Sequence, residues 1–201
     1  MEIKTEWFAR GLIESIFVVG SILLALGVDQ WSENRDFAEL ADQSLGIFEQ
    51  ELIQNRDRVE DGLPYHQGIR DILGQMVATP PPIVDLRRIM EGLEPPVLLN
   101  TAWETALATG ALTHMEFEVV SALSLTYSFQ EGFTTRSRAD RPRIGGSDSQ
   151  SVQQLDEQVR AAHEYMAALT SDEAELLTIF HQALEVVGQH RGIGHEDPVS
   201  P

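Results

Sequence analysis

The sequence predicts an all-α protein: an N-terminal transmembrane helix continuing into a long helix, followed by an antiparallel helical bundle. Three observations carry this expectation. The run from Gly11 to Val28 holds 18 residues with Glu14 as its only charge. Beyond it, apolar residues recur at steps of three, four or seven, the period of a helix with one buried stripe. Nowhere does the chain alternate apolar and polar residues as a half-buried strand does.

Composition narrows the class further. The 201 residues suffice for one medium domain plus an anchor. A net charge of −18, from 32 acids against 14 bases, argues against nucleic acid as a partner, because a phosphate-binding face needs clustered bases. Lys4 is the only lysine; the other bases are arginines. Cysteine is absent, which removes disulfides, thiolate metal sites and cysteine nucleophiles together.

The flank 1–10 precedes a span assigned to 11–31. As a helix, Trp7 to Trp31 covers about 36 Å, which matches a hydrocarbon core of about 30 Å with an aromatic at each interface. Trp7 and Phe8 mark one end and Trp31 the other. A signal peptide cut near Ala25-Leu26-Gly27 and a buried core helix are the competing readings; two acids in the leading segment and the lack of a polar region before the cut oppose the first, and the lack of a polar stripe, with only Gly20 and Ser21 between Ile16 and Leu26, opposes the second. Lys4 and Arg10 precede the span and Arg35 follows, so the positive-inside rule places the N-terminus in the cytoplasm of a bacterial cell and the bulk of the chain in the periplasm. Glu14 lies within two turns of the interface, where it reaches headgroup water or a neighbouring helix. Gly11, Ser15, Ser21 and Ala25 are small residues that let such a helix approach closely.

Glu14, the Gly-containing apolar run and the ending Trp31-Ser32-Glu33-Asn34-Arg35 resemble a large group of uncharacterised bacterial single-span proteins. Their pattern is a Glu, sixteen mostly apolar residues, then Trp-x-Glu-Asn-Arg. The resemblance covers about 25 residues and implies an N-terminal anchor followed by a helical domain. It brings no catalytic residues with it.

The helical domain divides into a first part, 32–134, an Arg/Gly/Ser loop, 135–150, and a long C-terminal helix or helix pair, 151–190, before a tail, 191–201. Phe37, Leu40, Ala41, Leu45, Phe48, Leu52 and Val59 form one stripe, and Gly62 and Pro64 read as its stop signal. Pro64 then opens a second helix with Ile69, Ile72, Leu73, Met76 and Val77, ended by Thr79 and three prolines. Thr101 with Glu104 and Thr113 with Glu116 fit the capping box, so each opens a helix; Gly110 closes the first. Thr170 to Glu173 either restarts a helix or lies inside a long one. The Asp172-Glu173 pair reads as helix N-terminal charge.

A search for chemistry finds no site. No HExxH, phosphate loop or nucleophile elbow is present, and His190 and His195 with Glu196 and Asp197 lack a preset metal geometry. No catalytic, cofactor-binding or metal residue is assigned, and no cofactor is expected. Trp103, in the first turn of its helix, reads as core or as an interface anchor. Arg136, Arg138, Arg141 and Arg143 read as a solvated loop, or as one that grips lipid phosphate or an acidic partner through paired hydrogen bonds. The expected function is therefore non-catalytic: an accessory subunit contacting membrane lipid and the other transmembrane subunits of a larger complex, with respiratory and photosynthetic assemblies as candidates. The alternative is a membrane-anchored extracytoplasmic ligand-sensing module.

Overall fold

Heptad spacing organises the molecule. A computed structural model describes residues 3–79, 89, 94–142 and 152–193; the side chains of residues 3–16, 22, 152, 192 and 193 lie outside that description. Its helices are α1 (Ile3–Ala78), α2 (Thr101–Thr109), α3 (Phe117–Ala139) and α4 (Val152–Ile193), with a 3-10 turn over Ala111–His114. Among the described residues there is no strand.

From Ala41 onward the inward residues of α1 step alternately by four and three: Leu45, Phe48, Leu52, Asn55, Val59, Gly62, His66, Ile69, Leu73, Met76. All are buried or half-buried. In α4 the same rhythm gives Leu155, Val159, Ala162, Met166, Leu169, Glu173, Leu176, Phe180, Ala183 and Val187. In α3 it gives Val119, Leu123, Thr126, Gln130, Phe133 and Ser137, all buried. A strict mean step of about 3.5 residues is the signature of helices wound around a shared seam.

The contacts set the directions. Gly46 faces Arg191, His66 meets Glu173 and Gly74 faces His163, so α4 runs antiparallel to α1. Glu51 meets Tyr127 and Asn55 meets Gln130, so α3 runs parallel to α1. Arg136 pairs with Asp172, which makes α3 antiparallel to α4. Among the described residues the result is a three-helix bundle with α2 laid across one flank. The bundle occupies only the C-terminal half of α1. Side chains from Phe17 to Glu39, Ile22 aside, are exposed on every face of the helix. This stem is about 35 Å long at helical rise. Among the described residues no helix is long and apolar enough to cross a membrane; residues 11–16 of the predicted span, and Ile22, fall outside the described side chains.

Several expectations are corrected. Gly62 and Pro64 do not stop a helix: α1 continues through both for 76 residues. Val59, His66 and Leu73 are buried on one seam across the supposed break, and their packing outweighs a local cost of about 3 kcal/mol for an interior proline. Pro64 itself is exposed, so the carbonyl of Glu60 that it leaves without a donor faces water. The second capping box does not open a helix either. Thr113 lies in the 3-10 turn, where its hydroxyl donates to the Gly110 carbonyl, and Glu116 is the N-cap of α3. At the first box, Asn100 rather than Thr101 is the N-cap, and Glu104 accepts from the Asn100 amide. Gly110 closes α2 as expected, with φ of 74°, a conformation that favours glycine. The loop placed at 135–150 begins later, because α3 carries on to Ala139. Thr170 to Glu173 lies inside the continuous 42-residue α4, so Asp172 and Glu173 are not helix N-terminal charge. The tail beyond residue 193 and most of 80–93 lie outside the described residues.

Pro64→Ala should stabilise the fold by about 2 kcal/mol, the interior-helix penalty less the unfolded-state entropy that proline removes. Thermal unfolding followed by circular dichroism gives the answer; a lower midpoint for the alanine variant would mean that α1 needs its proline.

Candidate functional site

Glu51 begins the construction of a cleft on the α2 flank. It lies just off the α1 seam and is buried because α2 covers it. One of its oxygens accepts the Tyr127 hydroxyl at 2.8 Å. The other accepts the Ala102 backbone N–H at 2.9 Å and the Thr101 hydroxyl. One carboxylate thus ties the start of α2 to both α1 and α3. One turn on, Asn55 donates to Gln130 at 3.0 Å and to the Leu99 carbonyl at 2.7 Å, and accepts from the Leu99 N–H at 2.8 Å. Gln130 donates to the same Leu99 carbonyl at 2.7 Å. The extended segment before α2 is therefore held by side chains, as buried backbone groups without a helix or sheet partner require.

Above this clamp a cleft of about 560 Å³ opens between α2 and α3. Trp103 forms its aromatic wall, stacked on Tyr127 with ring centroids 5.5 Å apart and planes at 21°. Phe48 supports both rings from the core at 6.4 and 5.9 Å. Leu98, Asn100, Glu104, Gln130, Glu131, Thr134 and Arg138 complete most of the lining. Trp103 is half-buried: it packs against the core, as the core reading expects, and borders the cleft.

A second polar pair is sealed in the seam. His66 Nδ1 and Glu173 Oε1 share a hydrogen bond of 2.7 Å, with both side chains buried. Glu173 Oε2 is buried with no hydrogen-bond partner among the described residues. The pair is a polar layer in an otherwise apolar seam between α1 and α4. No short sequence pattern marks it, because His66 and Glu173 are 107 residues apart.

The remaining predicted site residues are scattered. Gly11, Glu14 and Ser15 lie on α1, and Trp7 and Phe8 near its start, all outside the described side chains. Ser21 turns its hydroxyl onto the Val18 carbonyl at 2.8 Å, and Ala25 is exposed. Trp31 is 65% exposed on the stem, with the Arg35 guanidinium 5.9 Å above its ring. The four arginines do not form one loop cluster. Arg136 is on α3, bound to Asp172 at 3.0 Å and lying over the Phe129 ring. Arg138 is on α3 at the far end of the cleft, Arg141 is exposed beyond the helix, and Arg143 lies outside the described residues. Among the described residues no group of three or more His, Asp or Glu is placed to hold a metal ion.

Comparison of the chain with protein-family models, curated proteins and solved structures gives no match.

Burial pushes the Tyr127 hydroxyl above its ordinary value of 10, and the hydrogen bond to Glu51 and the charge of Glu51 push the same way. Burial also raises Tyr165, whose hydroxyl donates to the Ser137 carbonyl at 2.9 Å. Each folded tyrosine keeps its proton where the unfolded chain gives it up. Their contribution to stability is therefore complete below about pH 10 and declines as pH rises through that value. For Tyr127 the limiting slope is about 1.4 kcal/mol per pH unit. Chemical denaturation at pH 9 and pH 11 should show Tyr127→Phe losing about 1 kcal/mol less than the parent over that interval; equal losses would place the clamp elsewhere.

Proposed function

We propose that this chain is a non-catalytic single-span membrane protein, anchored by the N-terminal part of α1, whose helical bundle docks on other subunits of a larger bacterial membrane complex. The observation that carries the reading is the bare stem. Phe17 is 75% exposed, Leu24 70% and Trp31 65%, and Val18, Val19, Leu23, Leu26 and Val28 are exposed beside them. Leaving such side chains in water costs about 1.5–3 kcal/mol each relative to burial. Among the described residues none of the bundle covers them, which favours hydrocarbon or a neighbouring helix as their cover. The described part of the apolar run is too short to cross a bilayer, but residues 11–16 precede it in the same helix and bring the run to 18 residues. Lys4 and Arg10 favour a cytoplasmic N-terminus and a periplasmic bundle. Small residues on the span and Glu14 offer contacts to neighbouring helices. The resemblance to bacterial single-span proteins supports the same arrangement.

The cleft beside Trp103 favours a second reading, an anchored ligand-binding module, because its size falls in the range of small-molecule sites.

Membrane fractionation tests the anchor. The full chain should resist alkaline carbonate and yield to detergent, and a chain lacking residues 1–30 should remain in the supernatant. Release of the full chain by carbonate would sink the anchor. Native gel separation after gentle extraction then separates the two readings. Comigration with a stoichiometric complex supports the subunit, and migration alone supports the binding module.

A further inference from the structure

The cleft between α2 and α3 has two chemically different ends. Tyr127 and Glu131 are one helical turn apart on α3, about 6 Å along its axis. Trp103 and Glu104, adjacent on α2, stand across from them, so the aromatic wall and both carboxylates in the lining share one end. Among the described residues Arg138 is the only base in the lining, and it lies eleven residues beyond Tyr127, about 16 Å along the helix. Thr134 and Thr135 fill the distance between. The floor is already satisfied: Tyr127 donates to Glu51, and Gln130 binds Asn55 and Leu99. Glu131, by contrast, is exposed and has no ion-pair partner among the described residues.

We propose that the aromatic end of this cleft binds an organic cation, an ammonium or guanidinium group carried on an apolar stem. The indole of Trp103, half-exposed at the cleft, attracts such a cation and offers ring surface for the stem, with the buried Tyr127 ring stacked behind it. Glu104 and Glu131 approach from two different elements and supply the acceptors that an ammonium or guanidinium needs. The net charge of −18 raises the local concentration of cations around the whole domain, and more so in a recess lined by apolar rings. An anion would meet repulsion at this end and find its only base about 16 Å away. The cation has two possible sources, a free amine or the basic side chain of a docked protein. The proposal rests on the cleft alone and holds whether or not the stem crosses a bilayer.

The indole N–H resonance of Trp103 reads the site directly in the full chain held in detergent micelles. The chain has 3 tryptophans, and Trp103→Phe assigns the signal. Spermidine represents the free amine, N-acetyl-arginine amide the protein side chain, and benzoate the opposite charge, each titrated to about 10 mM. Both cations should shift the resonance saturably. The double variant Glu104→Gln, Glu131→Gln should weaken them about tenfold, and Arg138→Gln should leave their binding equal or tighter. Tighter spermidine binding assigns the site to a free amine, and tighter binding of the arginine amide assigns it to a basic partner. Three results overturn the proposal: no shift from either cation, cation binding unchanged in the double variant whose other resonances are intact, or a benzoate shift that Arg138→Gln abolishes.

Discussion

Everything else in the fold depends on the register between α1 and α4. Two long helices with unbroken heptads have many near-equivalent ways to pair, because a slip of seven residues again sets apolar against apolar. A polar layer removes that freedom: His66 must meet Glu173 or both are buried without that partner. A second layer, Asn55 with Gln130 and the Leu99 backbone, sets α3 against α1 in the same way. A slip therefore strands several hydrogen-bonding groups, at about 1–3 kcal/mol for each neutral one and more for a charged one. Apolar residues drive the helices together, and the polar layers choose one alignment among the many that would bury similar area.

That alignment has consequences along the whole rod. α1 is a single helix from Ile3 to Ala78, so the stem and the first helix of the bundle are one continuous element. The first core residues, Leu40 and Ala41, come directly after the bare stem. At that level Phe37 stacks on His114 with centroids 4.0 Å apart, which joins the base of the stem to the 3-10 turn. Arg191 closes the same end of the bundle by binding Glu49. The bundle is thus tied down where a lateral load on the stem would be felt most.

Much of this architecture was legible in the residues. The helical class, the start and end of α2, the apolar stripes of α3 and α4 and the separateness of the apolar N-terminal run all follow from periodicity and capping. The misread at Gly62 and Pro64 is instructive, because the contrary signal was also present. The heptad phase of Leu52 and Val59 carries on through Ile69, Leu73 and Met76 without a skipped step. A true stop followed by a new helix has no reason to preserve phase. The local rule failed because His66, a polar residue in a core position, hid the continuity. The clamp at Glu51 and the cleft were not legible. Both depend on α2 folding back beside residues about fifty positions earlier, a tertiary relation that short spacing does not encode. Reading the arginines as one loop failed for a similar reason: α3 runs past the assigned boundary, pairs Arg136 with Asp172 and places Arg138 at the cleft.

The position of α2 explains why this bundle has a recess at all. Three helices with matched heptads close their own seam and leave only convex surface outside it. α2 is 9 residues long, too short to run the length of α3, and it is held at its beginning by Glu51 rather than by a seam of its own. It covers the flank of α3 near Tyr127 and, among the described residues, leaves that flank uncovered beyond Gln130, where Glu131, Thr135 and Arg138 are exposed. The cleft is the step between a covered and an uncovered stretch of the same helix. Its aromatic wall is also an extension of the core, since Phe48, Tyr127 and Trp103 form one continuous ring cluster from the seam outward. The ring that borders the cleft therefore rests directly on residues of the α1–α3 contact.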